Sequence, residues 1–116
     1  MEIKIIKEKI TLNELNEMAK DGFGDFVKGV CDIEKGVLAF GGELHSDCYE
    51  RLIENGSQAE DIWGFNVFPE LPKEKYLEFT SLINIRPSVG NRSMEIQSEE
   101  IKKKIVKIIE KIVIWS

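Results

Sequence analysis

Hydrophobic residues recur at regular spacing along most of the chain, and the spacing changes from one segment to the next. In ITLNELNEMAKDGFG the apolar residues follow helical periodicity. Thr11 and Glu14 carry the signature of a capping box at its start, and Asp21-Gly22 offers a helix stop at its end. This segment predicts an N-terminal helix of about two to three turns, preceded by a short strand over residues 2–6.

The stretch FVKGVCDIEKGVLAFGGELH has the alternation of a β-hairpin. Its first strand covers residues 27–33, and Gly36 suits the loop. The return strand is predicted to run from Val37 toward His45, with a bulge or a close backbone approach at Gly41-Gly42. On this prediction Glu43 and His45 share one face of a strand. SDCYERLIENGS then predicts a short helix that ends at Asn55-Gly56.

Two further segments predict strands of the same sheet. DIWGFNVFPEL ends at prolines, which cannot donate to a β-ladder. YLEFTSLINIR shows the most regular alternation in the chain, with Asn84 and Arg86 on the less apolar side. Such a pattern predicts a sheet that is covered well on one side only, and therefore an antiparallel sheet.

The C-terminal segment QSEEIKKKIVKIIEKIVIW predicts an amphipathic helix. Ser98 is a good N-cap, and the isoleucines from Ile101 to Ile112 recur at three- and four-residue steps. We interpret its lysines as a solvated face. The complete pattern predicts an α+β fold, in which an antiparallel sheet of about four or five strands combines with an N-terminal helix and a C-terminal amphipathic helix that covers one face.

Composition narrows the class of protein. The chain has 116 residues, 42% hydrophobic and 32% charged, as expected for one ordered domain spanning residues 1–116. The net charge of -5 disfavours a nucleic-acid partner. Charged residues interrupt the N-terminus, and no apolar run is long enough for a bilayer. We therefore predict a cytoplasmic protein without a membrane partner, in which Cys31 and Cys48 are ordinary thiols.

Glu43, His45 and Asp47 form the first group with candidate chemistry. A strand would bring a carboxylate and the single histidine to one face, which suits general acid–base catalysis with Glu43 and His45. With Asp47 the three residues also offer oxygen and imidazole ligands for a metal ion. The alternatives are a hydrogen-bonded structural histidine and an Asp47 that caps the next helix. No particular cofactor is indicated.

INIRPSVGNRS forms the second group. Arginine forks match carboxylate and phosphate oxygens, and a glycine-containing turn adds backbone donors, so the stretch predicts an anion pocket. The alternative is that Glu43 pairs with Arg86 or Arg92, while Asn91 closes a turn through its own backbone. The candidate ligand-binding residues are Asn66, Asn84, Arg86, Asn91, Arg92 and Ser93.

Three motifs, GELHSD, DIWGFNVFPELP and INIRPSVGNRS, occur in this order. Together they resemble a small prokaryotic family known only as a domain of unknown function, and the resemblance covers nearly the whole chain. It implies a stand-alone domain of about this length. It implies no activity, cofactor or catalytic residue.

Three hypotheses about function follow. The first is binding of a small anionic ligand or a peptide carboxylate at a polar pocket that contains Glu43, His45, Arg86 and Arg92. The second is a structural or interaction module, a homodimer formed through Trp115 and the C-terminal helix. The third is a metal-dependent hydrolase that uses Glu43, His45 and Asp47.

Overall fold

The described part of the chain, residues 2–114 of a computed structural model, contains three α-helices and seven strands. In chain order these are β1 (Lys4–Ile6), β2 (Ile10–Thr11), α1 (Leu12–Asp21), β3 (Val27–Asp32), β4 (Val37–Phe40), α2 (His45–Glu54), β5 (Ile62–Val67), β6 (Leu77–Glu78), α3 (Glu99–Ile112) and β7 (Val113–Ile114). Short 3₁₀ turns lie at Ala59–Asp61, Leu82–Asn84 and Pro87–Val89.

Five of the strands form one antiparallel sheet in the order β1-β4-β3-β5-β6. Its centre is the long pairing of β3 with β5, from Val27 opposite Val67 to Asp32 opposite Ile62. β2 and β7 pair in parallel beside it and join the start of α1 to the end of α3. The predicted α+β fold with an antiparallel sheet of four or five strands is confirmed.

The ends of the helices follow the local signals in the sequence. At the start of α1, the backbone N–H of Glu14 donates to Thr11 Oγ1 at 3.1 Å, and the Glu14 carboxylate accepts from the backbone N–H of Thr11 at 3.4 Å. At the start of α3, Ser98 Oγ accepts from the backbone N–H of Ile101 at 3.2 Å. The predicted capping box and the predicted N-cap are both confirmed.

Helices cover both faces of the sheet. α1 and α3 pack on one face, where Leu15 and Ile109 join Phe40 and Phe65 in the larger core. α2 packs on the other face, where Cys48 and Leu52 lie in a second apolar cluster. The prediction of a sheet covered on one side only is therefore wrong. The physical reason is that the chain turns back after β4 and lays α2 across the second face.

β4 ends earlier than predicted, at Phe40. Gly41 and Gly42 have φ angles of +103° and +71°, which glycine adopts without strain. A Cβ on Gly41 would lie 2.1 Å from the carbonyl oxygen of Glu2, so the predicted close backbone approach is confirmed. The prediction that the strand continues toward His45 is wrong, because His45 is the first residue of α2.

The segment with the best alternation is mostly not a strand. Only Leu77–Glu78 pairs with β5, and residues 82–84 form a 3₁₀ turn. The predicted sides are also reversed at its end, since Asn84 is completely buried and Ile85 is 42% exposed. The alternation therefore describes the residue types correctly, but it does not describe the path of the backbone.

Asn84 takes the place of a neighbouring strand along β5. Its Oδ1 accepts from the backbone N–H of Gly64 at 2.8 Å, and its Nδ2 donates to the carbonyl of Gly64 at 3.0 Å and to that of Met94 at 3.1 Å. The absence of a side chain on Gly64 permits this approach, because a Cβ there would lie 2.7 Å from Ser81 Cβ. Both backbone groups of Gly64 are thus satisfied by one buried amide.

Replacing Asn84 with alanine should lower the free energy of unfolding by about 3–5 kcal/mol, because the buried N–H and C=O of Gly64 would both lose their partner. Urea unfolding followed by circular dichroism measures this change. The control is Asn13→Ala, at an exposed position of α1, which should change stability by no more than about 0.5 kcal/mol. Similar effects of the two substitutions would contradict the role given to Asn84.

Candidate functional site

His45 lies at the start of α2 and is 9% exposed. Its Nε2 lies 2.9 Å from the carbonyl oxygen of Phe65 in β5. A carbonyl oxygen only accepts hydrogen bonds, so Nε2 carries the proton. In the neutral imidazole Nδ1 is then the acceptor nitrogen.

Asn66 lies next to Phe65 in β5 and is directly opposite Lys28 in β3. Its Nδ2 donates to Glu78 Oε1 at 2.9 Å and to the carbonyl oxygen of Thr80 at 3.4 Å. Both of these partners are acceptors, which determines the orientation of the amide. Asn66 is only 8% exposed. Its Oδ1 accepts no hydrogen bond of ordinary geometry from the described residues, although the side chain lies close enough to the His45 ring to interact with it.

These side chains line a depression of about 350 Å³ between the first turn of α2, β5 and the segment that follows β6. We call it the His45–Asn66 depression. Three apolar side chains at its rim are well exposed: Leu44 at 56%, Leu82 at 71% and Met94 at 40%. The complete lining consists of Phe26, Lys28, Leu44, His45, Ser46, Asn66, Thr80, Ser81, Leu82, Ile83 and Met94.

The surroundings of His45 favour its neutral form. Burial lowers its pKa below the ordinary value of 6.5, and the hydrogen bond to Phe65 offsets this shift only in part. The positive charge of Lys28 lowers the pKa further, while a hydrogen-bond contact with the side chain of Asn66 raises it. At neutral pH the depression therefore contains a neutral imidazole beside a lysine.

Arg86 lies at the other end of β5. Its guanidinium donates to the carbonyl oxygen of Ile62, donates to that of Glu60 at 3.3 Å, and stacks over the ring of Trp63 at 4.7 Å from its centroid. Burial lowers its pKa, although the nearby Tyr49 and Glu60 oppose this. The guanidinium thus ties the 84–91 segment to β5.

The loop after Arg86 is held together internally. Asn91 is buried, and its Nδ2 contacts the carbonyl oxygens of Asn84, Ser93 and Glu95 at 2.8, 2.9 and 3.1 Å. Its Oδ1 accepts from the backbone N–H of Gln97 at 2.9 Å. Asn91 thus binds backbone groups on both sides of the loop, as the alternative interpretation predicts in part, but within residues 2–114 Glu43 forms no ion pair with either arginine.

Arg92 and Ser93 lie on the outer side of the same loop. The side chain of Arg92 is exposed, and its backbone N–H lies 3.4 Å from Gln97 Oε1. Ser93 Oγ accepts from the backbone N–H of Glu95 at 3.1 Å. Within residues 2–114, no ion pair joins Arg86 or Arg92 to Glu43.

Glu43 and Asp47 do not face the His45–Asn66 depression. Glu43 is exposed and accepts a hydrogen bond from Lys28 Nζ only through its backbone carbonyl, at 2.9 Å. Asp47 Oδ2 accepts from the backbone N–H of Leu44 at 3.2 Å, so Asp47 caps α2. Among the described residues, no group of three or more His, Cys, Asp or Glu could hold a metal ion, and the predicted metal ligands do not come together.

Of the predicted site residues, only His45 and Asn66 line the His45–Asn66 depression, whereas Asn84, Asn91 and Ser93 contact one another within their own loop. Asn84 and Arg86 support β5 from one side, and the predicted meeting of the Glu43–His45 and Arg86–Arg92 segments at one pocket does not occur. Sequence reasoning missed Lys28, Leu82 and Met94 because no local pattern predicts which strands pair with β5. Trp115, the predicted dimer contact, lies outside the described residues, and the homodimer stays a prediction.

The fold and the site define a small α+β domain with a polar, apolar-rimmed depression on one face of its sheet. The chain belongs to the family described as "Protein of unknown function (DUF5674)", whose sequence model matches residues 4–112. The resemblance to a family of unknown function is thereby confirmed. No curated protein and no solved structure matches the chain. Over residues 2–114, no helix is long and apolar enough to cross a membrane.

The lowered pKa of His45 predicts a loss of stability in mild acid. Above the unfolded-state pKa of about 6.5, both the folded and the unfolded chain hold a neutral imidazole. As the pH falls, the unfolded chain binds the proton first, so the free energy of unfolding decreases until the folded-state pKa is passed. Urea unfolding from about pH 8 to about pH 5 should show this decrease.

His45→Gln is the control for that measurement, because glutamine retains an N–H donor for the carbonyl of Phe65 and does not titrate. The decrease between pH 8 and pH 5 should be smaller in this variant by the contribution of the imidazole. Proton NMR of the single histidine gives the folded-state pKa directly. A value at or above 6.5 would contradict the prediction.

Proposed function

We propose that the His45–Asn66 depression binds a small carboxylate that also carries an amide N–H and an apolar side chain. The C-terminal residue of a peptide, or an N-acylated amino acid, combines these three groups. The observation that carries the proposal is the buried Oδ1 of Asn66, which accepts no hydrogen bond of ordinary geometry within residues 2–114. Its contact with the His45 ring is close enough to raise the imidazole pKa, but it does not meet that geometry. The proposal keeps the predicted peptide carboxylate but places it away from Arg86 and Arg92.

The acceptor oxygen of Asn66 is the reason for proposing a ligand with an amide N–H. A buried carbonyl oxygen without a partner costs about 1–3 kcal/mol, and a ligand N–H recovers this cost. The opposite end of the same amide is anchored by Glu78 at 2.9 Å, so Oδ1 is held in position before a ligand arrives. An acceptor that is already in position loses little entropy on binding.

Lys28 is the reason for proposing a ligand with a carboxylate. Its Nζ has three donors, and one of them is used by the carbonyl of Glu43. Lys28 makes no ion pair within the described chain, and His45 beside it is neutral. Its ammonium lies 4.9 Å from the centroid of the Phe23 ring, a contact that uses none of its N–H donors. Lys28 and Asn66 are opposite one another in the sheet, and both line the same depression.

The apolar rim of the depression is the reason for proposing a ligand with an apolar side chain. Leu44, Leu82 and Met94 are exposed around a depression of about 350 Å³, which lies at the small end of the usual range for ligand sites. Covering these side chains with an aliphatic group removes apolar surface from water. A leucine-sized side chain fits these dimensions.

A reducing, cytoplasmic location belongs to the same proposal. Cys31 and Cys48 are both buried and lie in separate apolar clusters on opposite faces of the sheet. Burial raises the pKa of Cys48 to about 12 and that of Cys31 further, so neither thiol is reactive. Two inert thiols that are placed for packing are typical of proteins from reducing compartments.

N-acetyl-leucine tests the proposed function, with its N-methyl derivative as the matched ligand without an amide N–H. In NMR titrations of the full chain, N-acetyl-leucine should shift the amide signals of residues around the depression. The N-methyl derivative should bind at least about tenfold more weakly, because Oδ1 of Asn66 would be covered without a partner. Equal binding of the two ligands, or shifts elsewhere, would refute the proposal.

A Lys28→Met variant tests the carboxylate contact separately. It should bind N-acetyl-leucine about tenfold more weakly than the parent chain. Lys103→Gln removes an exposed positive charge from α3 and should leave the affinity unchanged. An equal loss in both variants would mean that only the overall charge matters.

A further inference from the structure

A second depression, of about 500 Å³, lies near the opposite end of β3 from Lys28. Four lysines line it, together with one acidic residue and an apolar floor. We call it the lysine depression. Its lining consists of Lys7, Glu8, Lys9, Lys35, Gly36, Ile108, Lys111 and Ile112.

The lysines of this depression come from three separate parts of the chain. Lys7 and Lys9 lie between β1 and β2, Lys35 lies in the β3–β4 turn, and Lys111 lies in the last turn of α3. The solvated face of α3 accounts for the position of Lys111 but not for the positions of the other three lysines. The fold therefore concentrates positive charge at one place in a chain whose net charge is -5.

Glu8 lines the depression too, but no acidic side chain within the described chain forms an ion pair with these four lysines. The acidic residues of α3 pair elsewhere: Glu110 with Lys73 at 3.4 Å, Glu99 with Lys102 at 3.6 Å and Glu100 with Lys104 at 4.0 Å. Across residues 2–114, none of the recorded ion pairs includes a lysine of the depression. The positive charge is thus available to a ligand.

Two of the four lysines are held in position without losing their charge. Lys9 Nζ donates to the carbonyl of Lys111 at 2.6 Å, and Lys35 Nζ donates to that of Gly56 at 2.6 Å. Each ammonium group keeps further N–H donors after this contact. Holding them reduces the entropy that a ligand would otherwise have to remove.

The floor adds an apolar contribution. Ile108 is partly buried and packs against the main core, and Ile112 belongs to that core. An apolar surface beneath several ammonium groups accommodates a molecule with a negatively charged end and an apolar body. Compact multiply charged anions gain most from several lysines, since each ammonium is a point charge.

We infer that the lysine depression binds a small phosphate ester whose organic part is apolar or aromatic. The phosphate contacts the lysines, and the organic part rests on the partly exposed Ile108, because Ile112 is only 2% exposed. This site is independent of the His45–Asn66 depression and of the function proposed there.

Phenyl phosphate is the probe for this site, and inorganic phosphate is the matched ligand without an apolar part. In NMR titrations of the ¹⁵N-labelled chain, phenyl phosphate should shift the amide signals of residues 7–9, 35–36 and 108–112. Inorganic phosphate should shift the same signals but bind about fivefold more weakly, because it leaves the floor exposed. Equal affinities, or shifts spread over the whole surface, would overturn the inference.

A double variant, Lys7→Gln with Lys111→Gln, removes two ammonium groups that donate to no carbonyl among residues 2–114. It should bind phenyl phosphate about tenfold more weakly. The control is Lys103→Gln with Lys107→Gln, which removes the same charge from exposed positions of α3 outside the depression. The control should change the affinity by less than about twofold. Equal losses would show a general effect of charge and overturn the inference.

Discussion

The pairing of the Asn84 side chain with the backbone of Gly64 is the contact on which this structure depends most. β5 has a full partner in β3, but β6 covers only its last two residues. An open strand edge invites pairing with other chains. The side-chain amide of Asn84 forms hydrogen bonds with both backbone groups of Gly64 in the middle of this edge. The guanidinium of Arg86 donates to the carbonyl of Ile62 nearby. Polar residues that suggest a binding pocket thus serve to complete a sheet.

This contact also creates the His45–Asn66 depression. Because residues 81–84 cross β5 at Gly64, Ser81 and Leu82 are held beside Asn66 and form one wall. α2 forms the other wall with His45. The imidazole of His45 donates to the carbonyl of Phe65, which lies between Gly64 and Asn66 in β5. The two ends of β5 therefore have different roles. At one end Arg86 donates to backbone carbonyls, and at the other the buried Oδ1 of Asn66 accepts no hydrogen bond of ordinary geometry from the described chain.

Positive charge is distributed unevenly over this acidic protein. Lys28 stands beside a neutral histidine at one end of β3, and four lysines surround an apolar floor near the other end. The two arginines that are the most suggestive cations in the sequence are placed differently, since Arg86 donates to backbone carbonyls and Arg92 extends into solvent. Residue type alone thus does not locate a site for an anion. The partners of each cation decide whether its charge is available.

The sequence by itself determined the elements that depend on neighbours in the chain. The capping box of Thr11, the N-cap Ser98 and the periodicity of α3 act within a few residues of each other, so their prediction was correct. Tertiary structure alone decided the path of residues 79–86 and the position of His45. Both depend on contacts between distant segments: the close approach of Asn84 to Gly64, and that of Gly41 to Glu2. Hydrophobic periodicity records which residues avoid water, but it does not record which backbone groups a buried amide will satisfy.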